Sequence, residues 1–413
     1  MLKRISVEQL TLGMHLKEFC GSWMEHPFWR SGFVLTDPDD IKAILASSIR
    51  DVWIDCSQGL DVALGEVTVS EAESEAQIDV ELNQVAQAQR QTAPVSAEQE
   101  IARAAQICLQ AKQAVVSMFE EVRMGNTVDV GGARQLVEEI SDSVSRNPGA
   151  LISLARLKTV DDYTYMHSVA VCAMMVSLAK QLGFDEAQTR SAGLAGLMHD
   201  LGKAVMPMEV LNKPGKLTEA EFATIKTHPT EGYNMLLGGV NVDPMVLDVC
   251  LHHHEKMDGS GYPKGLKGDA ISLFAKMGAV CDVYDAITSN RPYKLGWDPA
   301  ESLRKMAEWV NGHFDLKVFQ AFVKSMGIYP VGSLVRLTSG RLGVVVEQTA
   351  KSLTTPRVKV FFSTKSNMRI VPQIIDLSGP DTREKIVGRE DPAQWRFPDL
   401  NELWSGLAQG PAK

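Results

Sequence analysis

The sequence lacks any apolar run of about 18 residues, so no segment reads as a membrane span. It also lacks a CxxC pair. Cys20, Cys56, Cys108, Cys172, Cys250 and Cys281 are scattered through 413 residues, most in apolar surroundings. That pattern excludes a disulfide framework and suits reduced core thiols, so a cytoplasmic protein is expected. The opening MLKRISVEQLTLGMHL has two basic residues but no apolar core of signal-peptide length, which agrees. Positive charge is not in excess either: 42 Lys and Arg against 51 Asp and Glu leave a net charge of −9. A general binder of nucleic-acid polymers or membrane surfaces is therefore not expected, although a few local cations can still serve a small anionic substrate. No repeat of fixed period is present.

What is present is long enough for two to four domains. Residues 1–65 carry short β-like runs (GFVLTD, DVWIDCS) and one helix candidate, DPDDIKAILASS, so a small α+β module is expected. Residues 66–139 are expected to be a linker and a connecting helix. The first part, to about residue 100, is rich in Ala, Glu and Gln with few large apolar residues and reads as a loosely packed connector. From about 98 the apolar residues recur at three- and four-residue spacing, as in amphipathic helices. Gly183 is positioned to close one helix and Asp185 to cap the next. Thr218 and Glu221 form a capping box that is expected to open a helix running past His228. Beyond Pro330 the pattern turns to strands, with a Ser-Gly turn between VGSLVRLT and RLGVVVEQTA. The fold class expected is mainly α: a helical bundle over 140–330, preceded by the α+β module and followed by a β-rich appendage, 331–413.

Six of the nine histidines fall inside the helical segment: His167, His199, His228, His252, His253 and His254. Asp200 follows His199 directly, and Asp282 lies in the apolar run GAVCDVYDAITS. A lone histidine is more often structural than a ligand. A carboxylate in an apolar helix is costly unless it meets a cation or several donors. Taken together, these residues match how helical proteins build metal sites, with ligands facing inward from neighbouring helices. Imidazole and carboxylate without thiolate suit Fe, Mn or Zn, and the spacings exclude HExxH. A His-Asp pair lets the imidazole bind one ion while the carboxylate bridges to a second. Two ions a few ångströms apart are suited to attack on a phosphodiester.

HDLGK (199–203), KPGKLTEAE (213–221), HP (228–229), HHEKMDGSGYPKGL (253–266) and DVYDAITSNRPYK (282–294) resemble the HD-GYP domain, a branch of the HD phosphohydrolases. The resemblance covers about residues 140–330, and the N-terminal stretch resembles the module often found before this domain in bacterial signalling proteins. It implies a phosphodiesterase that converts cyclic di-GMP to linear pGpG or GMP with two divalent ions, Fe or Mn. The ligands it implies are His167, His199, Asp200 and Asp282 for the HD set and His228, His253 and His254 for the HD-GYP additions, with Asp200 bridging. Lys203 is implied to reach a phosphate oxygen or the attacking water, Arg291 and Lys294 to hold substrate phosphates, and Tyr262 to line the guanine pocket. The glycine-rich loop DGSGYPKGLKG is implied as a substrate edge and as a dock for diguanylate cyclase (GGDEF) domains; a homo-oligomer is also compatible.

Some relatives carry a glutamate one turn before the first ligand histidine, which helps to hold a third ion. Tyr163 stands there, with Asp161 and Asp162 off that face, so two ions are expected. His252 is expected to be a packing neighbour of the ligand pair, and His15, His26 and His313 to be structural. Two other readings stay open: a phosphodiesterase for cyclic GMP-AMP, and a weakly active or inactive nucleotide-binding and docking module.

Overall fold

The computed structural model describes residues 2–20, 32–47, 49–63, 68–86, 95–128, 130–157, 163–213, 215, 217–239, 241–289, 296–310, 312–349 and 352–407. The chain divides into two compact units: Met1–Glu81 with Arg304–His313, and Leu82–Leu303 with Phe314–Lys413.

In the first unit β1 (Leu2–Ser6), β2 (His15–Cys20), β3 (Phe33–Val34), β4 (Asp51–Asp55) and β5 (Val69–Ser70) form one antiparallel sheet in the order β3-β2-β4-β1-β5. Ile5, Leu16, Val52 and Ile54 bury their side chains against Ile44 of α1 (Pro38–Leu45), the expected helix, which Asp37 caps. The expected loose connector is structured where it is described. Val69 pairs with Arg4, and Glu71–Ala86 forms α2 with Ile78 and Leu82 buried. Ser74, Ile78 and Leu82, at i, i+4 and i+8, give the helix one buried face while most of its other described positions are exposed.

In the second unit α3 (Ala97–Arg123) and α4 (Val130–Arg146) lead through α5 (Pro148–Ala155) to α6 (Tyr163–Gln181). Every residue of α6 from Met166 to Ala179 is buried, as befits a helix apolar all round. Next comes α7 (Glu186–Met198), whose cap is Asp185 with Gln188 in a reciprocal box. A 3₁₀ turn, Leu201–Val205, continues into α8 (Met208–Leu211) and α9 (Glu219–Ile225). The capping box of Thr218 and Glu221 forms as expected, but α9 stops at Ile225 and a separate helix, α10 (His228–Leu237), begins at His228. Pro229 accounts for the break: it has no N–H to give an earlier carbonyl and is tolerated only in a first turn. The rest of the helical part is α11 (Pro244–His252), α12 (Leu273–Thr288) and α14 (Leu316–Met326), while α13 (Pro299–Glu308) belongs to the second unit up to Leu303 and to the first from Arg304.

The appendage adds β6 (Leu334–Leu337), β7 (Arg341–Glu347), β8 (Arg357–Ser363), β9 (Met368–Asp376) and β10 (Ile386–Arg389), in the antiparallel order β10-β6-β7-β8-β9, then α15 (Pro392–Trp395) and α16 (Leu400–Ser405). Glu347 of β7 ties this sheet to the helices. Its Oε1 accepts from the Ala97 backbone N–H (2.6 Å) and from Asn147 Nδ2 (3.3 Å). Among the described residues no helix is long and apolar enough to cross a membrane.

Candidate metal and substrate site

Five helices deliver the chemistry-bearing side chains to one place. His167 projects from α6, His199 and Asp200 lie where α7 passes into the 3₁₀ turn, His228 opens α10, His253 and His254 follow α11, and Asp282 lies in α12. His199 and Asp200 are not successive residues of a regular helix. His199 is the last residue in helical conformation, and Asp200 (φ −100°, ψ 11°) occupies the sparsely allowed bridge region that turns the chain.

Small residues allow the convergence. A Cβ on Gly196 would lie 2.9 Å from Met175 Cγ and 3.0 Å from Cys172 Cα, so glycine permits α7 to run this close to α6. His199 Nε2 thereby comes within 3.3 Å of His167 Nε2. A Cβ on Gly202 would fall 1.9 Å from the His228 carbonyl oxygen, so the turn bearing Asp200 rests directly on α10.

Asp200 sits at the centre. Its Oδ2 is 3.4 Å from both His167 Nε2 and His199 Nε2, while Oδ1 is 3.2 Å from His228 Nε2 and 3.8 Å from His253 Nε2. Asp282 Oδ1 lies 3.0 Å from His167 Nε2, and its Oδ2 lies 3.8 Å from His254 Nδ1. The side chains fall into overlapping groups: His167, His199 and Asp282; His199, Asp200 and His253; and His228, His253 and His254.

The far side of each ring decides what the near side offers. His199 Nδ1–H donates to Gly196 O (2.8 Å), His228 Nδ1–H to Ile225 O (2.7 Å) and His253 Nδ1–H to Cys250 O (3.0 Å). A carbonyl only accepts, so the proton is on Nδ1 and each Nε2 turns a lone pair inward. His228 Nε2 and His253 Nε2 then meet at 3.3 Å as two lone pairs, beside a buried Asp200 Oδ1 that has no hydrogen bond. Acceptors facing acceptors in a buried pocket suit a cation. The residues present thus suit divalent ions.

The protonation states agree. Burial alone would raise the Asp200 carboxyl, but the Lys203 ammonium and the His199 ring outweigh it and hold the group well below the usual carboxylate range. Burial likewise opposes ionisation of Asp282, and His167 overcomes it. Burial pushes His253 down to about 3, helped by His199 and His228, and pushes His254 well below its ordinary value, helped by His253. His228 also goes down, mainly by burial. His199 goes up: burial works against its charged form, but Asp200 and Asp282 prevail. Neutral His228, His253 and His254 beside ionised Asp200 and Asp282 are states that ligate metal, whereas the raised His199 departs from that pattern and has to release a proton when a metal binds.

The remaining expected residues are placed as follows. Lys203 Nζ pairs with Asp200 Oδ2 at 2.5 Å. The Tyr262 ring stacks on His254, with centroids 4.7 Å apart and planes 26° apart. His252 turns away from the cluster, with Nδ1 on Asp248 Oδ1 at 2.8 Å. Arg291 and Lys294 lie outside the described residues, as do Asp161, Asp162, His26 and the side chain of Tyr163. Sequence reasoning missed Asp285, one turn after Asp282 on α12. Its Oδ2 takes the His167 Nδ1–H at 2.6 Å, with both side chains buried, and so turns the His167 Nε2 toward the centre. A second carboxylate three residues on in an apolar helix was the signal available for it.

Imidazoles and carboxylates gathered from five helices around one shared aspartate define a divalent-metal phosphohydrolase of the HD type. Residues 139–318 match the family described as HD domain, and residues 2–133 one described as a domain of unknown function, DUF3391. Over 410 residues the chain is 56% identical to a cyclic di-GMP phosphodiesterase of Pseudomonas aeruginosa, covering 99% of this chain and 97% of that one. It is 43% identical over 148 residues to a cyclic di-GMP phosphodiesterase response regulator of Xanthomonas campestris pv. campestris, 36% of this chain and 39% of the relative. It is 38% identical over 168 residues to 3'3'-cGAMP-specific phosphodiesterase 1 of Vibrio cholerae, 40% and 39% of the two chains. The chain belongs to the HD-GYP family of metal-dependent cyclic-dinucleotide phosphodiesterases.

Proposed function

We propose that this chain hydrolyses cyclic di-GMP to pGpG, GMP or both, using two divalent ions, iron or manganese. His167, His199, Asp200 and Asp282 would hold one ion, and Asp200, His228, His253 and His254 the other. The observation that carries this reading is Asp200, whose two carboxylate oxygens face separate imidazole sets, one of those oxygens being buried without a hydrogen bond. The count of two rests on Tyr163 in place of a glutamate. Extended likeness to the Pseudomonas aeruginosa phosphodiesterase supports cyclic di-GMP as substrate.

When bound, the ions acidify a water and neutralise charge on the scissile phosphate. Hydrolysis joins a water oxygen to phosphorus and breaks the bond from phosphorus to the ribose 3′ oxygen, which leaves as a hydroxyl. Lys203, now paired with Asp200, is the ammonium placed to meet a phosphate oxygen or the attacking water once the aspartate is engaged by metal. Tyr262, on the His254 side of the centre, offers a ring to a guanine, and Arg291 and Lys294 are assigned the substrate phosphates. The loop 258–268, solvent-exposed at Lys264, Gly265 and Lys267, serves in this reading also as a dock for a GGDEF-domain partner. Six free cysteines accord with a cytoplasmic setting.

The test is turnover of cyclic di-GMP and of cyclic GMP-AMP by Fe- or Mn-loaded protein, beside Asp200→Ala. Cyclic di-GMP should be the faster substrate, and Asp200→Ala should lose both activity and metal. Faster cyclic GMP-AMP hydrolysis would reassign the substrate. No turnover of either by metal-replete protein would leave only the nucleotide-binding and docking reading.

A further inference from the structure

Glu255 directly follows the histidine pair, and its buried carboxylate is not used by the metal cluster. It is 2% exposed. Its Oε1 accepts the Lys264 backbone N–H at 2.7 Å and its Oε2 the Leu266 N–H at 2.9 Å. Both oxygens are thereby committed to one loop, eleven residues of chain folded back on the residue that follows a ligand. Two further features draw the same loop inward. The Tyr262 N–H donates to His254 O at 3.2 Å. A Cβ on Gly261 would sit 2.5 Å from Glu255 Cα, from His254 O and from Lys256 N, so the loop backbone lies against the 254–256 backbone where no other residue fits. The outcome is the Tyr262 ring stacked on the His254 imidazole.

A loop with four glycines has a large conformational entropy to lose, and a ring carried on it is a precise wall only if something stiff fixes the backbone at both sides. Charge-assisted bonds from one buried carboxylate to two amides do this, because an unmet N–H or a bare carboxylate there would be costly. We infer that Glu255 is a positioning residue for the reaction, holding residues 261–266 against the ligand pair so that Tyr262 presents its ring at a fixed distance from the metal centre. The inference rests on the reading of the site as a cyclic-dinucleotide phosphodiesterase. It assigns Glu255 to substrate alignment and not to metal binding.

Glu255→Gln keeps the shape but turns an NH₂ toward one of the two backbone N–H groups. In the metal-loaded full chain it should speed deuterium exchange in peptides spanning 261–268 and raise KM for cyclic di-GMP about tenfold, the worth of one charge-assisted bond. Bound metal and kcat should stay within about twofold. In a Tyr262→Ala background the same substitution should add nothing to KM, since its effect runs through that ring. Glu255→Asp, too short to reach both amides, should behave alike and serves if the glutamine variant does not fold. An equal KM increase with and without Tyr262, unchanged exchange, or loss of metal as the source of the defect would each overturn the assignment. If the wild type turns over no cyclic dinucleotide, the proposed function fails separately. Equilibrium binding of cyclic di-GMP then replaces KM, and undiminished binding by Glu255→Gln overturns the inference.

Discussion

Asp285→Asn separates the two ion positions. Asp285 touches the His167 side of the centre: its Oδ2 takes the His167 Nδ1–H at 2.6 Å, and its Oδ1 accepts from Ser289 Oγ at 3.3 Å. The asparagine carbonyl can still accept from His167 and its amide can donate to the serine hydroxyl, so the geometry survives while the negative charge is lost. That charge, buried beside the ring, makes His167 a stronger donor to metal. Losing a carboxylate partner of this kind reduces metal affinity about 10- to 100-fold, or about 1.4 to 2.8 kcal/mol. The four residues His228, His253, His254 and Asp200 do not contact Asp285 among the described interactions, so the second ion should bind as before. Calorimetric Mn²⁺ titration of the apo protein with a competing chelator, checked by metal analysis, should therefore resolve one weakened and one unchanged class of site. Equal weakening of both sites, or of neither, would refute the reasoning.

Three further outcomes follow from the same geometry. His253→Ala and His254→Ala should each cost one equivalent of bound metal, whereas His252→Ala, whose ring is engaged with Asp248, should cost none; elemental analysis of purified variants decides this. Gly196→Ala should destabilise the fold by about 1–3 kcal/mol, because the added methyl lands 2.9 Å from Met175 Cγ, and a melting temperature equal to wild type would contradict the close helix approach. The metal-free protein should melt at progressively lower temperature from pH 7 to pH 4 in calorimetry. His253, held down to about 3 by burial and then by its histidine neighbours, and His254, depressed by burial, bind fewer protons folded than unfolded. Their stability is present above the ordinary imidazole value of about 6.5 and is lost as pH falls toward 3. His228, also depressed, and Asp200 and Asp282 at lower pH act with the same sign, whereas the raised His199, Asp298 (about 6) and Glu308 oppose them. A melting temperature that rises on acidification would exclude these states.

Sequence and structure divide the account along physical lines. Features encoded locally were legible: the Asp185 and Thr218 caps and the strands around Ser339-Gly340 each depend on residues within a turn or two of one another. The connector reads as loose from its composition, and the structure forms its 71–86 part as a helix with Ser74, Ile78 and Leu82 buried, the apolar residues among them being too few to lift that composition. The helix expected to pass through His228 was misread because the capping box was weighed and Pro229 was not.

For the site, residue types and spacing by themselves determined that imidazoles and carboxylates without thiolates stand on successive helices, which is enough for the class of metal. The resemblance to the HD-GYP motif also set His252 apart from its neighbours as an expectation. Which atoms face each other was decided by tertiary structure alone. The split of Asp200 between two sets, the carbonyls that place each proton on Nδ1, the Asp285 partner of His167 and the Glu255 clamp on the tyrosine loop all join residues from different elements or across a folded-back loop. The reason is directional: a ligand bond or hydrogen bond depends on orientation to within tenths of an ångström, and only the packed chain, with Gly196 and Gly202 allowing its helices to close, supplies that.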